Sequence, residues 1–167
     1  HVNGILHSTT VPSHLPQSQT EIVTQMADKI AAGLNYVGVM AVEFFISKEG
    51  DVLVNEIAPR PHNSGHFTND ACQTSQFEQQ VRMLCGLPAG NSDLIEPVVM
   101  INILGDVWGN STPHWDNLLS KPDINLHLYG KKEARVGRKM GHFNVLASTL
   151  DQAESLAADA FEQLKAD

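Results

Sequence analysis

Apolar residues recur every four positions at Ile22, Met26, Ile30 and Leu34, with Val23, Ala27 and Ala31 beside them. That period makes one broad apolar face and predicts a helix over about 18–34. Ser18-Gln-Thr-Glu21 has the spacing of a capping box at its start, and Gly33 and Asn35 mark its end. Residues 37–46 and 52–57 are rich in β-branched and aromatic side chains and predict two strands. Lys48-Glu-Gly-Asp51 between them is a turn signal, and Pro59 and Pro61 stop the second strand. A short helix is expected over 77–87, with Phe77, Val81, Leu84 and Cys85 on one face.

After Gly90-Asn-Ser-Asp93 the pattern changes to short strands at 98–104, 125–129 and about 141–146. A last helix is expected from Thr149, where Gln152 completes a second capping box. Ala153, Leu156, Ala157, Ala160, Phe161 and Leu164 would form its buried face. The chain therefore reads as α+β in two parts, 1–95 and 96–167, the first with a mainly antiparallel sheet.

Composition narrows the function. The 167 residues suit one ordinary domain or two small ones, and 42% hydrophobic content is enough for a core. No apolar run approaches the ~18–20 residues of a membrane span. A net charge of −8 argues against a general nucleic-acid coat but leaves room for a local basic cluster. Cys72 and Cys85 have neither zinc nor redox-pair spacing and read as reduced thiols in a cytoplasmic setting. The chain opens on His1-Val-Asn-Gly-Ile-Leu, which reads like the middle of a strand pair, so a preceding N-terminal part is expected.

The chemistry begins at two glutamates. With Lys48–Asp51 as the loop, Glu43 lies opposite Glu56. Two like charges opposed in a sheet are destabilising among apolar neighbours. Either one carboxyl keeps its proton, or a hard cation such as Mg²⁺ or Mn²⁺ sits between them, or the register is shifted by one and one Glu faces solvent. The segment Ala58-Pro-Arg60-Pro-His62-Asn63-Ser64-Gly65-His66 follows as a polar loop stiffened by prolines. Arg60 can grip a carboxylate or phosphate in two parallel hydrogen bonds. Asn63 and Ser64 offer neutral donors, and His62 or His66 can carry protons near neutral pH. A self-bonded polar turn, with His66 structural, is the plainer alternative.

A second cluster runs through Tyr129-Gly-Lys131-Lys132-Glu-Ala-Arg135-Val-Gly137-Arg138-Lys139-Met-Gly141-His142. It holds five of the chain's eleven Lys and Arg residues, a local excess in an acidic protein. Phosphate binding, an RNA-binding loop and a solvated basic hairpin all fit this pattern.

The run Ala-Val-Glu-Phe-Phe … Val-Asn-Glu-Ile-Ala-Pro-Arg-Pro-His-Asn-Ser-Gly-His resembles the ATP-grasp family. Within it the likeness is greatest to the branch of ATP-dependent carboxylases of purine biosynthesis. Formate-dependent glycinamide ribonucleotide transformylases have a similar Pro-Arg-Pro-His run, but the Asn-Ser-Gly-His continuation favours the carboxylases. The resemblance implies the C-terminal part of an ATP-grasp domain followed by a small β-rich C-terminal domain. The family's N-terminal domain and ATP-lid lysine would then lie outside the chain. It also implies a cytoplasmic carbon–nitrogen ligase, commonly dimeric, that acts on small molecules and not on nucleic acid or membranes.

By the same resemblance, Glu43 and Glu56 bind Mg²⁺ (or Mn²⁺) bridging the ATP phosphates, and Asn55 lies at the nucleotide edge. Ala58 stands where many ATP-grasp enzymes place a metal-binding Asn. Arg60, His62, Asn63 and Ser64 map onto the catalytic loop that meets bicarbonate and aminoimidazole ribonucleotide. Bicarbonate would attack the γ-phosphate to give carboxyphosphate, and the ribonucleotide amine would capture the carboxyl group, directly or by way of CO₂. Lys131 and Arg138 would hold the ribonucleotide 5′-phosphate, with Lys132, Arg135 and Lys139 as weaker candidates. Val136 stands where that signature usually has proline. The chain alone is expected to have little or no activity. The competing readings are another ATP-grasp ligase, such as the formate-dependent transformylase, and a non-catalytic nucleotide- or RNA-binding module.

Trp108 and Trp115 read as packing anchors, and Met83, Met100 and Met140 as core fillers. His1, His7, His14, His114 and His127 lack metal-ligand spacing and carry no assigned role.

Overall fold

The computed structural model describes residues 1–109 and 111–165. Its elements run β1 (Ser8–Val11), α1 (Gln17–Gly33), β2 (Ala41–Ile46), β3 (Val52–Ala58), α2 (Thr68–Ala71), α3 (Gln76–Leu84), β4 (Val98–Leu104), α4 (Trp115–Leu119), β5 (Ile124–Leu128), β6 (Lys139–Leu146) and α5 (Leu150–Leu164). Short 3₁₀ turns occupy Asn63–Gly65 and Gly105–Trp108. The expected α+β character is present, and both sheets are antiparallel.

The buried core belongs to the larger sheet, ordered β1-β4-β6-β5. β4 is apolar at nearly every position, Val98-Val-Met-Ile-Asn-Ile-Leu104, because β1 and β6 flank it and α5 covers a face. Val99, Ile101, Ile103, Phe143 and Val145 meet Ala153, Ala157, Ala160 and Leu164 of α5. Alanines spaced four and three residues apart bring that helix close to the sheet. Thr149 caps α5 by accepting from Gln152 N–H at 3.3 Å, which is half of the expected capping box. Gln152 Oε1 instead accepts from Ser148 Oγ at 2.9 Å. Leu156, expected in the buried face, is exposed, and Phe161 packs at the margin of the core. Trp108 and Trp115 pack edge-to-face at 5.5 Å against this core, as anchors should.

Three expectations change. The helix expected at 18–34 starts at Gln17, capped by Pro16, and Ser18 makes no capping bond. Proline's fixed φ sets the first turn one residue early, so Glu21 accepts from Gln17 Nε2 at 3.0 Å instead. The apolar faces of α1 and α3 are only partly covered: no α1 residue is fully buried, and Phe77, Val81 and Leu84 are exposed. α3 instead packs through its glutamines. Gln80 accepts from Val39 N–H at 2.7 Å, Gln79 exchanges two bonds with Gly90, and Gln76 is the buried residue of the helix. Finally, 37–40 is not strand, and the opening residues, expected in the middle of a strand pair, make an isolated bridge before a strand that was not expected. Val2 bridges Ile5, and Ser8–Val11 becomes β1, paired with β4 from Ser8↔Ile101 to Val11↔Val98.

The loop after β3 and α2 meet the larger sheet through polar side chains. Asn102 of β4 is fully buried and exchanges two amide hydrogen bonds with Asn63, at 2.9 and 2.7 Å, while also donating to Leu6 O. Asp70 of α2 accepts from Asn144 of β6 at 2.6 Å and contacts His127 of β5 at 2.8 Å. These bonds tie the loop after β3 to the larger sheet.

Candidate active site

β2 and β3 pair so that Glu43 faces Glu56. The turn does not achieve this alone. The pairs Ile46↔Val52, Phe45↔Leu53 and Phe44↔Val54 would place Asn55 opposite Glu43. A bulge makes Asn55 an extra residue, and the register shifts by one to set the carboxylates opposite each other. Asn55 Nδ2 then donates to Glu43 Oε2 at 3.2 Å.

A cavity of about 490 Å³ opens beside this pair, lined among others by Glu43, Glu56, His62, Lys131 and Lys139. Two acids, two lysines and an imidazole converge from β2, β3, the loop after β3 and both ends of the β5–β6 connection. His62 Nε2 lies 3.7 Å from Glu43 Oε1, and His62 Nδ1 contacts Ser64 Oγ at 2.9 Å. Lys131 Nζ donates to Lys139 O at 2.6 Å and lies 5.5 Å from the centre of the Tyr129 ring. Burial pushes the Lys139 ammonium below its usual pKa, and Lys131 and Arg60 add to that, while Glu43 and Glu56 act against it.

The remaining expected residues sit differently. Asn63 bonds Asn102, so it braces the loop from behind. Arg60 is exposed, its guanidinium turned to Pro61 O at 3.1 Å. Arg138 donates to Glu133 O at 3.2 Å and does not line the cavity. Lys139, held as a weaker candidate, does. Arg135 pairs with Glu133, Nε to Oε2 at 2.9 Å. Chain direction explains the exchange: Lys139 is the first residue of β6 and so has a fixed side, whereas Arg138 still belongs to the connection.

Behind the loop lies a group of rings whose members are far apart along the chain. His66 is 5.0 Å from His142 and 6.1 Å from Tyr129, centre to centre, and His127 stacks on His142 at 4.6 Å. Tyr129 OH and His142 Nδ1 are 2.8 Å apart. Burial lowers the His66 pKa to about 4, with His62, Lys139 and His127 adding to the effect. Burial likewise lowers His142 to about 3, and it raises the Tyr129 hydroxyl to about 12 against an opposing hydrogen bond from Asn63. The imidazoles of His66 and His142 are therefore neutral at pH 7.

The donor set suits a divalent cation that keeps phosphate or water ligands. Two opposed carboxylates, with an amide beside them, supply hard oxygen, and among the described residues no group of three or more His, Cys, Asp or Glu side chains is placed to hold a metal ion by itself. Among the described residues, no helix is long and apolar enough to cross a membrane.

Comparison with known proteins gives two matches in series. Residues 1–77 match the ATP-grasp domain, and residues 98–156 match the phosphoribosylaminoimidazole carboxylase C-terminal domain. The chain is 45% identical over 152 residues to N5-carboxyaminoimidazole ribonucleotide synthase of Bacillus subtilis (strain 168), covering 91% of this chain and 39% of that one. The crystal structure of N5-carboxyaminoimidazole ribonucleotide synthetase from Thermotoga maritima superposes with a TM-score of 0.87 at 41% identity, over 95% of this chain and 45% of that one. The Aspergillus clavatus N5-carboxyaminoimidazole synthase in complex with ADP and 5-aminoimidazole ribonucleotide superposes at 0.86 and 31% identity, over 98% of this chain and 45% of that one. The chain thus spans about two-fifths of the length of the curated relatives it matches.

Proposed function

From the premise that this chain belongs to the ATP-grasp family, in its N5-carboxyaminoimidazole ribonucleotide synthase branch, we propose that it works within a longer polypeptide as part of an ATP-dependent carboxylase. The substrates are ATP, bicarbonate and aminoimidazole ribonucleotide, and the product is the N-carboxylated ribonucleotide of purine biosynthesis. We divide the chain near residue 95, between the two family matches, and place the enzyme in the cytoplasm as a homodimer. The exposed apolar side chains of β2, β3 and α3, including Phe45, Leu53, Val81 and Leu84, suit burial against further protein.

The observation that carries the reading is the convergence of Glu43 and Glu56 with Lys131 and Lys139 around one cavity. Two carboxylates and two ammonium groups around one cavity fit a site that handles phosphate through a bridging cation and also holds an anionic substrate. Glu43 and Glu56 would hold Mg²⁺ (or Mn²⁺), which when bound neutralises charge on the transferred phosphoryl group. Asn55 orients Glu43. Lys131 and Lys139 provide fixed positive charge for a phosphate or carboxylate, and holding the unreactive end of the ribonucleotide keeps its amine against the carboxyl donor. His62, pinned between Ser64 and Glu43, is placed to orient bicarbonate or move a proton. The exposed Arg60 and the half-buried Arg138 are assigned to outer contacts with substrate.

The test is ADP release by the full-length protein, supplied with Mg-ATP and bicarbonate, with and without aminoimidazole ribonucleotide. Release that requires the ribonucleotide and yields an acid-labile carboxylated product supports the reading. Release that requires formate and glycinamide ribonucleotide would move the chain to the transformylases.

A further inference from the structure

One side chain outside the cavity grips the site loop from both ends. Gln76 opens α3 and is 8% exposed, an unusual place for a glutamine unless its amide is fully used. Its Oε1 accepts from His62 N–H at 2.9 Å, and its Nε2 donates to His62 O at 2.8 Å. The second Nε2 hydrogen reaches His66 Nδ1 at 2.8 Å. Both backbone groups of His62 and the ring of His66 thus hang on one amide. The backbone beneath is fixed by the same helix start: Gln76 N–H donates to Thr68 Oγ1 at 2.9 Å, and Thr68 Oγ1 donates to Gly65 O at 2.7 Å. Gly65 leaves the space this needs, since a Cβ there would come within 2.6 Å of Gln76 Oε1.

We propose that Gln76 is a positioning residue of the active site, whose amide clasps His62 and His66 and so fixes the imidazole of His62 beside Glu43. Gln76 itself does not line the cavity. Its reach is through His62, whose ring stands 3.7 Å from Glu43. An amide is required here, because only an amide accepts from one N–H and donates to two acceptors at once. Carboxylate, methyl and thioether groups all leave donors or acceptors of the loop unpaired in a buried place. The consequence for the reaction rests on the carboxylase reading, whereas the clasp does not.

The clasp also dictates the state of His66. An N–H pointed at Nδ1 favours the unprotonated ring. The groups around that ring are His62, Lys139, His127, His142, Tyr129 and Phe77, and none of them is an acid.

Gln76→Glu and Gln76→Met in the full-length protein test this, and either variant that folds decides it. Both remove the N–H that favours unprotonated His66, and the carboxylate adds attraction for the proton. The His66 titration midpoint, followed by NMR, should rise by about one unit or more in Gln76→Glu and less in Gln76→Met. The KM for bicarbonate should rise about tenfold while the KM for ATP stays constant. A merely structural residue would lower kcat alone, in proportion to the folded fraction. An unchanged His66 midpoint, or an unchanged bicarbonate KM in a folded variant, overturns the proposal. If the wild-type protein shows no bicarbonate-dependent turnover, the carboxylase reading fails, and the His66 midpoint still decides the clasp.

Discussion

Glu43 stands opposite Glu56 because Asn55 is an extra residue in its strand. Without the bulge, the pairing set by the turn would put Asn55 across from Glu43 and send Glu56 to the other face. The bulge resets the pairing to Glu43↔Glu56 and places the Asn55 amide 3.2 Å from Glu43. A carboxylate pair of this kind, on a short exposed hairpin, is unfavourable for folding unless a cation joins it.

Replacing Glu56 with Gln therefore removes a charge that the fold does not need. ATP turnover by the full-length protein should fall about a hundredfold or more, with the melting temperature unchanged or raised. Steady-state kinetics and thermal unfolding on the same preparation check both halves. Retained turnover would remove Glu56 from the metal site.

Lys139 and Arg138 are neighbours with opposite environments. Lys139 lines the cavity beside Glu43 and Glu56, whereas Arg138 turns to Glu133 O. Lys139→Met should reduce kcat/KM for the ribonucleotide by about tenfold or more, and Arg138→Met by less. The reverse ranking would return the anion-binding role to Arg138.

Asn102 ties β4 to the site loop through its paired amide bonds with Asn63. Asn102→Leu leaves the Asn63 amide and Leu6 O without partners in a buried place. It should cost about 2–3 kcal/mol of stability, read from the denaturant midpoint. It should also weaken turnover, because the loop carrying His62 loses its rear support.

Acid should unfold this protein through its neutral imidazoles. His66 and His142 have folded-state pKa values of about 4 and about 3, below the ordinary 6.5. Below pH 6.5 the unfolded chain binds their protons and the folded chain does not. Their stabilising contribution is therefore complete above about pH 6.5 and is lost as pH falls toward 4. The slope approaches about 1.4 kcal/mol per pH unit for each group. Melting temperatures from pH 7.5 to 4.5 should fall steeply, and His142→Asn should flatten the curve. A flat wild-type profile would contradict the buried, neutral state of these rings.

Much of this was legible in the residues. The apolar run 98–104 and the alanine spacing of the last helix identify the core, because burial leaves its own periodicity. The carboxylate pairing was legible as an outcome but not as a mechanism. Counting Lys48–Asp51 as the loop reaches Glu43↔Glu56, whereas the strand stops at Ile46 and the bulge at Asn55 makes up the difference. The apolar stripes of α1 and α3 have correct helical periods but are only partly covered among the described residues, since periodicity reveals a face and not what covers it. Gln76, Asn102 and the His66–His142–Tyr129 group were not legible. They lie far apart in sequence and meet only because α2, α3 and the larger sheet close on one loop. Gln76 falls one residue before the helix expected over 77–87, and only the structure places it in the first turn with its amide holding His62.

The central claim is that bicarbonate is activated at the γ-phosphate of ATP, and oxygen transfer tests it most directly. The full-length protein would be given ¹⁸O-bicarbonate, Mg-ATP and aminoimidazole ribonucleotide, and the released phosphate analysed by mass. Attack of a bicarbonate oxygen on the γ-phosphorus and later cleavage of the carboxyl–oxygen bond predict one ¹⁸O atom in each phosphate formed. Unlabelled phosphate released alongside ADP would contradict the account.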